Sequence, residues 1–195
     1  MTDIYLWWIG ADAPAAEVVA RIRSMIEETF GCPVRVWTSR DRPVDTLDAR
    51  RQQHSSTRIL QWLARHRPPA ALKVIALTDV DLFIPILTFV FGEAQLNGPA
   101  AVVSAARLLP DRSTLGQRVL AARLAKECVH ELGHTFGLIH CDSPGCVMMR
   151  SVNALDVDAK TASFCESCWN RYRELKREGT TRHEQRADSD PDRGR

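Results

Sequence analysis

The chain has 195 residues, 45% of them hydrophobic and 26% charged, with a formal net charge of +2. That length supports one domain with a sizeable core, and that composition is ordinary for a globular protein rather than a disordered or fibrous one. The near balance of charge supplies neither the basic surface of a nucleic-acid binder nor the polybasic patch of a membrane binder, and no apolar run approaches the roughly 20 residues that span a bilayer.

The run from Asp3 to Ile9 is short and apolar and follows no basic segment, so it reads as a buried strand rather than a signal peptide. The expected compartment is therefore the cytoplasm, where thiols stay reduced. Asp12 and Pro14 open a helix to about Phe30, with Val18, Val19, Ile22, Met25, Ile26 and Phe30 on an apolar stripe, and Gly31 ends it. Cys32 reads as a small buried hydrophobe, and Pro33 to Thr38 as a second strand. Residues 39–54, rich in Arg40, Asp41, Pro43 and Asp45, read as irregular loop. A second helix is expected from Ser55 or Ser56 to His66, stopped by Pro68-Pro69. His54 and His66 flank it without partners at ligand spacing and read as solvated histidines.

Lys73 to Thr78 is the clearest buried strand. Asp79 and Asp81 after it read as turn chemistry rather than metal ligands. Thr88 to Gly92 is expected as a fourth strand and Ala101 to Ala105 as a fifth. This order predicts an α/β sandwich with a mostly parallel, twisted sheet of five strands, one of them antiparallel and at an edge.

A long helix follows from Thr114, where Thr114-x-x-Gln117 has the form of a capping box, to Gly137. Leu115, Val119, Leu120, Ala122, Leu124 and Ala125 are expected on its buried face, Cys128 in the core, and Glu127 as a solvated or salt-bridged charge. The helix carries HExxHxxGxxH, at His130, Glu131, His134, Gly137 and His140. His130 and His134 lie one turn apart and project from one face, so their imidazoles can grip one Zn²⁺. Glu131 stands beside them, able to hold and deprotonate a zinc-bound water. Gly137 can take φ > 0, so the chain turns back and His140 arrives as a third ligand, leaving a fourth position open for water or substrate.

Cys141-x4-Cys146 and Cys165-x2-Cys168 form a second constellation, each pair on a tight turn. Two close thiolate pairs suit a closed, structural Cys₄ zinc, and a reducing compartment disfavours the alternatives of disulfides or free thiols. Such a site would staple a segment with no core of its own and, starting one residue after His140, would hold that ligand in place. Met148 follows Cys146 by two residues, and either it or Met149 could be plain core. A short helix from Trp169 to about Glu178 closes the fold, with Trp169, Tyr172 and Leu175 facing the body. Residues 179–195 read as a disordered charged tail. Residues 1–178 are thus expected as one catalytic domain, with lobes at 1–137 and 138–178.

HExxHxxGxxHC-x4-C-x-M followed by a CxxC pair resembles the archaemetzincins, a branch of the metzincin clan of zinc peptidases with an additional Cys₄ zinc. The string Phe89-Val90-Phe91-Gly92-Glu93-Ala94 is similar to that family's sequence ahead of the active-site helix. The resemblance implies a metzincin-like sandwich, a long active-site helix, a small C-terminal lobe held by the Cys₄ zinc, and two Zn²⁺ per chain. It assigns His130, His134 and His140 to the catalytic zinc, Cys141, Cys146, Cys165 and Cys168 to the structural zinc, and Met148 to the Met-turn beneath the imidazoles. It implies a zinc-dependent metallopeptidase that works through a zinc-bound water with Glu131 as general base.

Small peptides or unfolded polypeptides are the expected substrates, and a monomer with no nucleic-acid or membrane partner is expected. The alternative is a zinc-dependent peptide-binding or scaffold protein of the same fold with little hydrolytic activity, against which the intact Glu131 argues. A nucleic-acid-binding zinc ribbon is disfavoured, since Asp156 and Asp158 balance Arg150 and Lys160 between the cysteine pairs.

Overall fold

The computed structural model describes residues 3–11, 14–39, 41–111 and 113–188. Asp12, Arg40 and residues 189–195 of the expected tail lie outside the described residues.

Strand β1 (Asp3–Trp8) leads into helix α1 (Ala16–Phe30) and strand β2 (Val34–Trp37), as the apolar patterning predicts. Gly31 ends α1 at φ 60°, a left-handed position a glycine takes without steric cost. Two short strands, β3 (Leu47–Asp48) and β4 (Gln53–Ser55), lie where only irregular loop is expected. Their residues are polar, and pairing with a distant segment makes them strands. Helix α2 (Ser56–His66) follows, capped by the Ser55 hydroxyl, which accepts from the Arg58 N–H. Strand β5 (Ala71–Thr78) is buried along nearly its whole length, and β6 (Leu82–Phe83) pairs with β4 in a small three-stranded sheet ordered β3-β4-β6.

The fourth strand of the main sheet is displaced from its expected place. It is β7 (Gly92–Ala94), so of Thr88 to Gly92 only Gly92 is in it. The carbonyls upstream are taken by side chains: Arg51 donates to Leu87 O and Thr88 O, and Gln53 Nε2 donates to Thr88 O. With those acceptors satisfied off the ladder, the segment forms a loop, tied by a single antiparallel bridge between Val90 and Leu82. Strand β8 (Ala100–Ser104) completes a sheet of order β2-β1-β5-β8-β7, parallel throughout except for the antiparallel edge strand β7.

Helix α3 (Thr114–Thr135) starts from Ser113 rather than from a box at Thr114: the Ser113 hydroxyl accepts from the Gly116 N–H. Leu115, expected inside, is exposed although its neighbour Gly116 is buried, and Ala122 is only half-buried. Cys128 is fully buried, as expected. A short helix α4 (Ala154–Ala159), absent from the expectation, is set by a capping box between Asn153 and Asp156. Helix α5 (Glu166–Asp188) begins three residues earlier than expected, so Cys165-x2-Cys168 opens a helix rather than spanning a free turn. It also continues to Asp188, through the first half of the expected tail, a stretch without proline and rich in helix formers.

The sheet has a core on each face. Helices α1 and α3 pack on one side with Ile75, Leu77, Ala101 and Val103, and α5 joins them through Tyr172. Helix α2 covers the other side with Trp7, Val74, Ala76 and Val102. The end of α1 is tied to α5, where the Tyr172 hydroxyl and Lys176 Nζ both donate to Phe30 O, each at 3.1 Å. No helix among the described residues is long and apolar enough to cross a membrane.

Candidate metal centres

His130 and His134 emerge from the last turns of α3, and each donates its Nδ1–H to a backbone carbonyl. His130 Nδ1 is 2.8 Å from Val147 O and His134 Nδ1 is 2.7 Å from Leu138 O. A carbonyl can only accept, so both neutral rings carry their proton on Nδ1 and turn a lone pair outward on Nε2. Those two Nε2 atoms converge to 3.1 Å. Gly137, at φ 97°, reverses the chain after α3, and His140 comes back with its ring 4.9 Å from that of His134 and 5.3 Å from that of His130. Arg150 Nε donates to His140 Nδ1 at 3.1 Å.

One ligand atom from each of the three histidines lies within 4.8 Å of the others. A tetrahedral zinc with Zn–N bonds of about 2.0–2.1 Å needs nitrogens about 3.3 Å apart, so the donor set fits the ion. Burial pushes all three imidazoles below their ordinary pKa, His140 to about 4, and the neutral ring is the form that binds metal.

Glu131 is buried beside them, and burial, with the neighbouring Glu127 carboxylate, raises its pKa well above the carboxylate range. Edge strand β7 closes over it. A Cβ on Gly92 would stand 2.7 Å from Glu131 Cγ and 2.8 Å from its Oε1, so this position must lack a side chain for the glutamate to sit where it does.

The four thiols form the second cluster. Cys141 Sγ is 3.7 Å from Cys165 Sγ, and Cys146 Sγ is 3.8 Å from Cys168 Sγ. Sulfurs at the corners of a tetrahedron with Zn–S bonds of about 2.3 Å stand about 3.8 Å apart, whereas a disulfide requires about 2.05 Å. All four are free thiols within ligand reach of one another. Cys165 is drawn down to about 7, chiefly by the Cys168 N–H in the opening turn of α5. Cys32 and Cys128 stay buried and apart from both clusters.

The clusters share backbone. Val147, between Cys146 and Met148, gives its carbonyl to His130 and its N–H to Ser163 O at 3.0 Å. The Cys141 N–H donates to Met148 O, also at 3.0 Å. Met148 is fully buried under the histidine turn, where a Cβ on Gly133 would meet its Sδ at 2.6 Å. Met149 is only half-buried and lies outside that contact.

Several contributors are invisible as motif positions. Glu127, one turn before Glu131 on the same face, is no solvated charge: it is buried and paired with Lys160 at 2.9 Å. Lys160 Nζ also donates to Met149 O at 3.0 Å. Arg123 donates two bonds to the Asp158 carboxylate, and Lys126 donates to Val157 O and Asp158 O. Only the i, i+4 spacing of Glu127 and Glu131 hints at this clamp in the sequence. His54 bonds to Thr46 Oγ1 at 2.8 Å and His66 to Trp62 O at 2.9 Å, and neither joins a ligand cluster. Asp81 is likewise engaged, with Arg107 and Gln53, and Asp79 accepts from the Ala11 N–H.

Comparison with known proteins adds an independent line. Residues 69–177 match peptidase family M54. The chain is 38% identical to the archaemetzincin of Methanocaldococcus jannaschii, over 78% of this chain and 83% of that protein. It is 36% identical to the archaemetzincin of Archaeoglobus fulgidus, over 87% of this chain and 98% of that one. The crystal structure of the Methanopyrus kandleri archaemetzincin superposes with a TM-score of 0.81 at 35% identity, covering 90% of this chain and 96% of that one.

Proposed function

The chain belongs to peptidase family M54, the archaemetzincins, and is a zinc metallopeptidase; from that premise we propose that it hydrolyses peptide bonds with Glu131 as general base. His130, His134 and His140 would hold the zinc at the reacting centre, and Cys141, Cys146, Cys165 and Cys168 a second, structural zinc. Met148 would be the floor beneath the imidazoles. The observation that carries this reading is the convergence of the His130 and His134 Nε2 lone pairs beside a buried Glu131.

A zinc ion bound there supplies Lewis acidity toward the scissile carbonyl and makes a water acidic enough to be deprotonated near neutral pH. Glu131 takes that proton on its carboxylate as the water attacks, and delivers it to the leaving amide nitrogen. The peptide lies along the free edge of β7. Ser104 N–H donates to Phe91 O and Gln95 N–H to Ala100 O, so those residues face β8. Alternation then turns the backbone groups of Gly92 and Ala94 outward, where an extended substrate can pair with them. A thiol cluster that must stay reduced to bind metal supports a cytoplasmic setting.

Glu131→Gln tests the mechanism. The variant should keep the wild-type zinc content, two ions per chain by elemental analysis, while turnover of a peptide library falls about 10²–10⁴-fold. Unchanged turnover would remove Glu131 from the chemistry.

A further inference from the structure

Five of the exposed large apolar side chains among the described residues gather around one cavity. Ile86, Leu87, Leu96, Ile139 and Val152 all line the space of about 710 Å³ over His130, Glu131 and His134. They come from four separate stretches: the loop before β7, the turn after it, the return after α3, and the segment beyond Met149. Both lobes contribute. Ile86 is 86% exposed and Val152 74%, far beyond what residues spilling out of a core would show. Such clustering at one cleft marks a binding surface.

The charges in that wall are engaged within the protein. Glu127 is neutralised by Lys160, Glu93 accepts from Thr57 Oγ1, and Arg150 donates to His140. Glu131 is committed to the reacting centre. The wall therefore offers a substrate side chain mostly apolar surface, with the Glu93 carboxylate and the Arg150 guanidinium as its charged members, while the free edge of β7 asks for an extended backbone.

Resting on the peptidase reading above, we propose that the cleft selects extended peptides with large aliphatic or aromatic side chains on the residues flanking the scissile bond. Acidic or basic residues buried against Ile86, Leu96, Ile139 and Val152 are disfavoured by the cost of desolvation. The rim is exposed because its covering partner is a transient substrate.

The test uses the zinc-loaded full chain and a quenched-fluorescence peptide library randomised at the flanking positions, with direct binding to the Glu131→Gln protein measured in parallel. Cleavage concentrated on Leu, Ile, Val, Phe or Met is expected. Ile86→Glu and Ile139→Glu should each raise KM for an apolar peptide about tenfold or more with zinc content retained. Leu115→Glu, an equally exposed apolar position away from the cavity, should change nothing. Cleavage without preference, or preference for charged residues, would overturn the inference and leave the peptidase reading intact. No cleavage, but tight binding of apolar peptides by the Glu131→Gln protein, would support the inference and sink the peptidase reading. Neither cleavage nor binding would overturn the inference. So would sedimentation showing a dimer that Ile86→Glu dissociates, since the rim would then be covered by a second copy.

Discussion

The two donor clusters meet at a single peptide bond, between His140 and Cys141, and are built in opposite ways. The histidines stand on the end of a long helix whose other face is anchored in the core, and two of their rings are oriented by backbone carbonyls. They leave one side open to a large cleft. The thiols stand on a turn and a helix start and face one another, in a segment that adds Val147, Met148, Val157 and Phe164 to the main core. With metal bound, the first arrangement would leave a coordination position for chemistry and the second would use every position for cohesion. The comparison also shows dependence in one direction. The carbonyl that orients His130 belongs to Val147, inside the cysteine-held lobe, so the closed cluster supports the open one.

Breaking the closed cluster should therefore have the largest effect. Cys168→Ser removes a ligand from a site whose metal contributes on the order of 10 kcal/mol to folding in small zinc domains. The C-terminal lobe should become susceptible to trypsin, and zinc affinity at the histidines should fall about 10–100-fold, as loss of a ligand-orienting contact does elsewhere. Metal titration with a competing chelator measures this, and an unchanged affinity at the histidine site would uncouple the two centres.

An ion pair also ties the segment after the histidines to α3. Lys160→Met leaves Glu127 buried and uncompensated, which costs about 3–5 kcal/mol. Changing both residues to methionine should restore most of that loss in a urea unfolding experiment. If the double variant unfolds as readily as the single one, the pair contributes through something other than mutual charge compensation.

A smaller change acts at the edge strand. Gly92→Ala places a methyl group 2.7 Å from the Glu131 side chain and 2.7 Å from the Val102 carbonyl of the neighbouring strand β8, so kcat/KM should fall about 10–100-fold, the scale of a misplacement near 1 Å, and the thermal midpoint should fall with it. Zinc content should be retained, and an unchanged kcat/KM would mean that the close approach of β7 does not position Glu131.

The smallest effect is expected at Asp158. The Arg123 hydrogen bonds hold its carboxyl below the ordinary aspartate value. Its contribution is thus fully present above the unfolded pKa near 3.9 and is lost as pH falls through the lower folded value. Asp158→Asn should cost under about 1 kcal/mol at pH 7, since the carboxylate is partly exposed. The difference from wild type should vanish in acid, and a difference that persists below that range would mean the aspartate acts through packing.

The ligand sets were legible because their geometry is local. Four residues make about one helical turn, a glycine permits the reversal, and two short cysteine spacings bring thiols together, so spacing alone points to both metal centres. The parallel sheet was legible from alternating strand and helix for the same reason. The edge strand was not: Thr88 to Phe91 read as strand, yet Arg51 and Gln53, distant in sequence, take the Thr88 carbonyl, and the Val90 N–H turns to Leu82 O of the small sheet. Likewise Glu127 and Lys160 look like ordinary surface charges until α4 folds back over α3. The sequence by itself determined which donor atoms gather into the two clusters. Tertiary structure alone decided which carbonyls orient them, which glycine makes room for Glu131, and which apolar residues ring the cleft, because each of those depends on segments that only long-range pairing brings together.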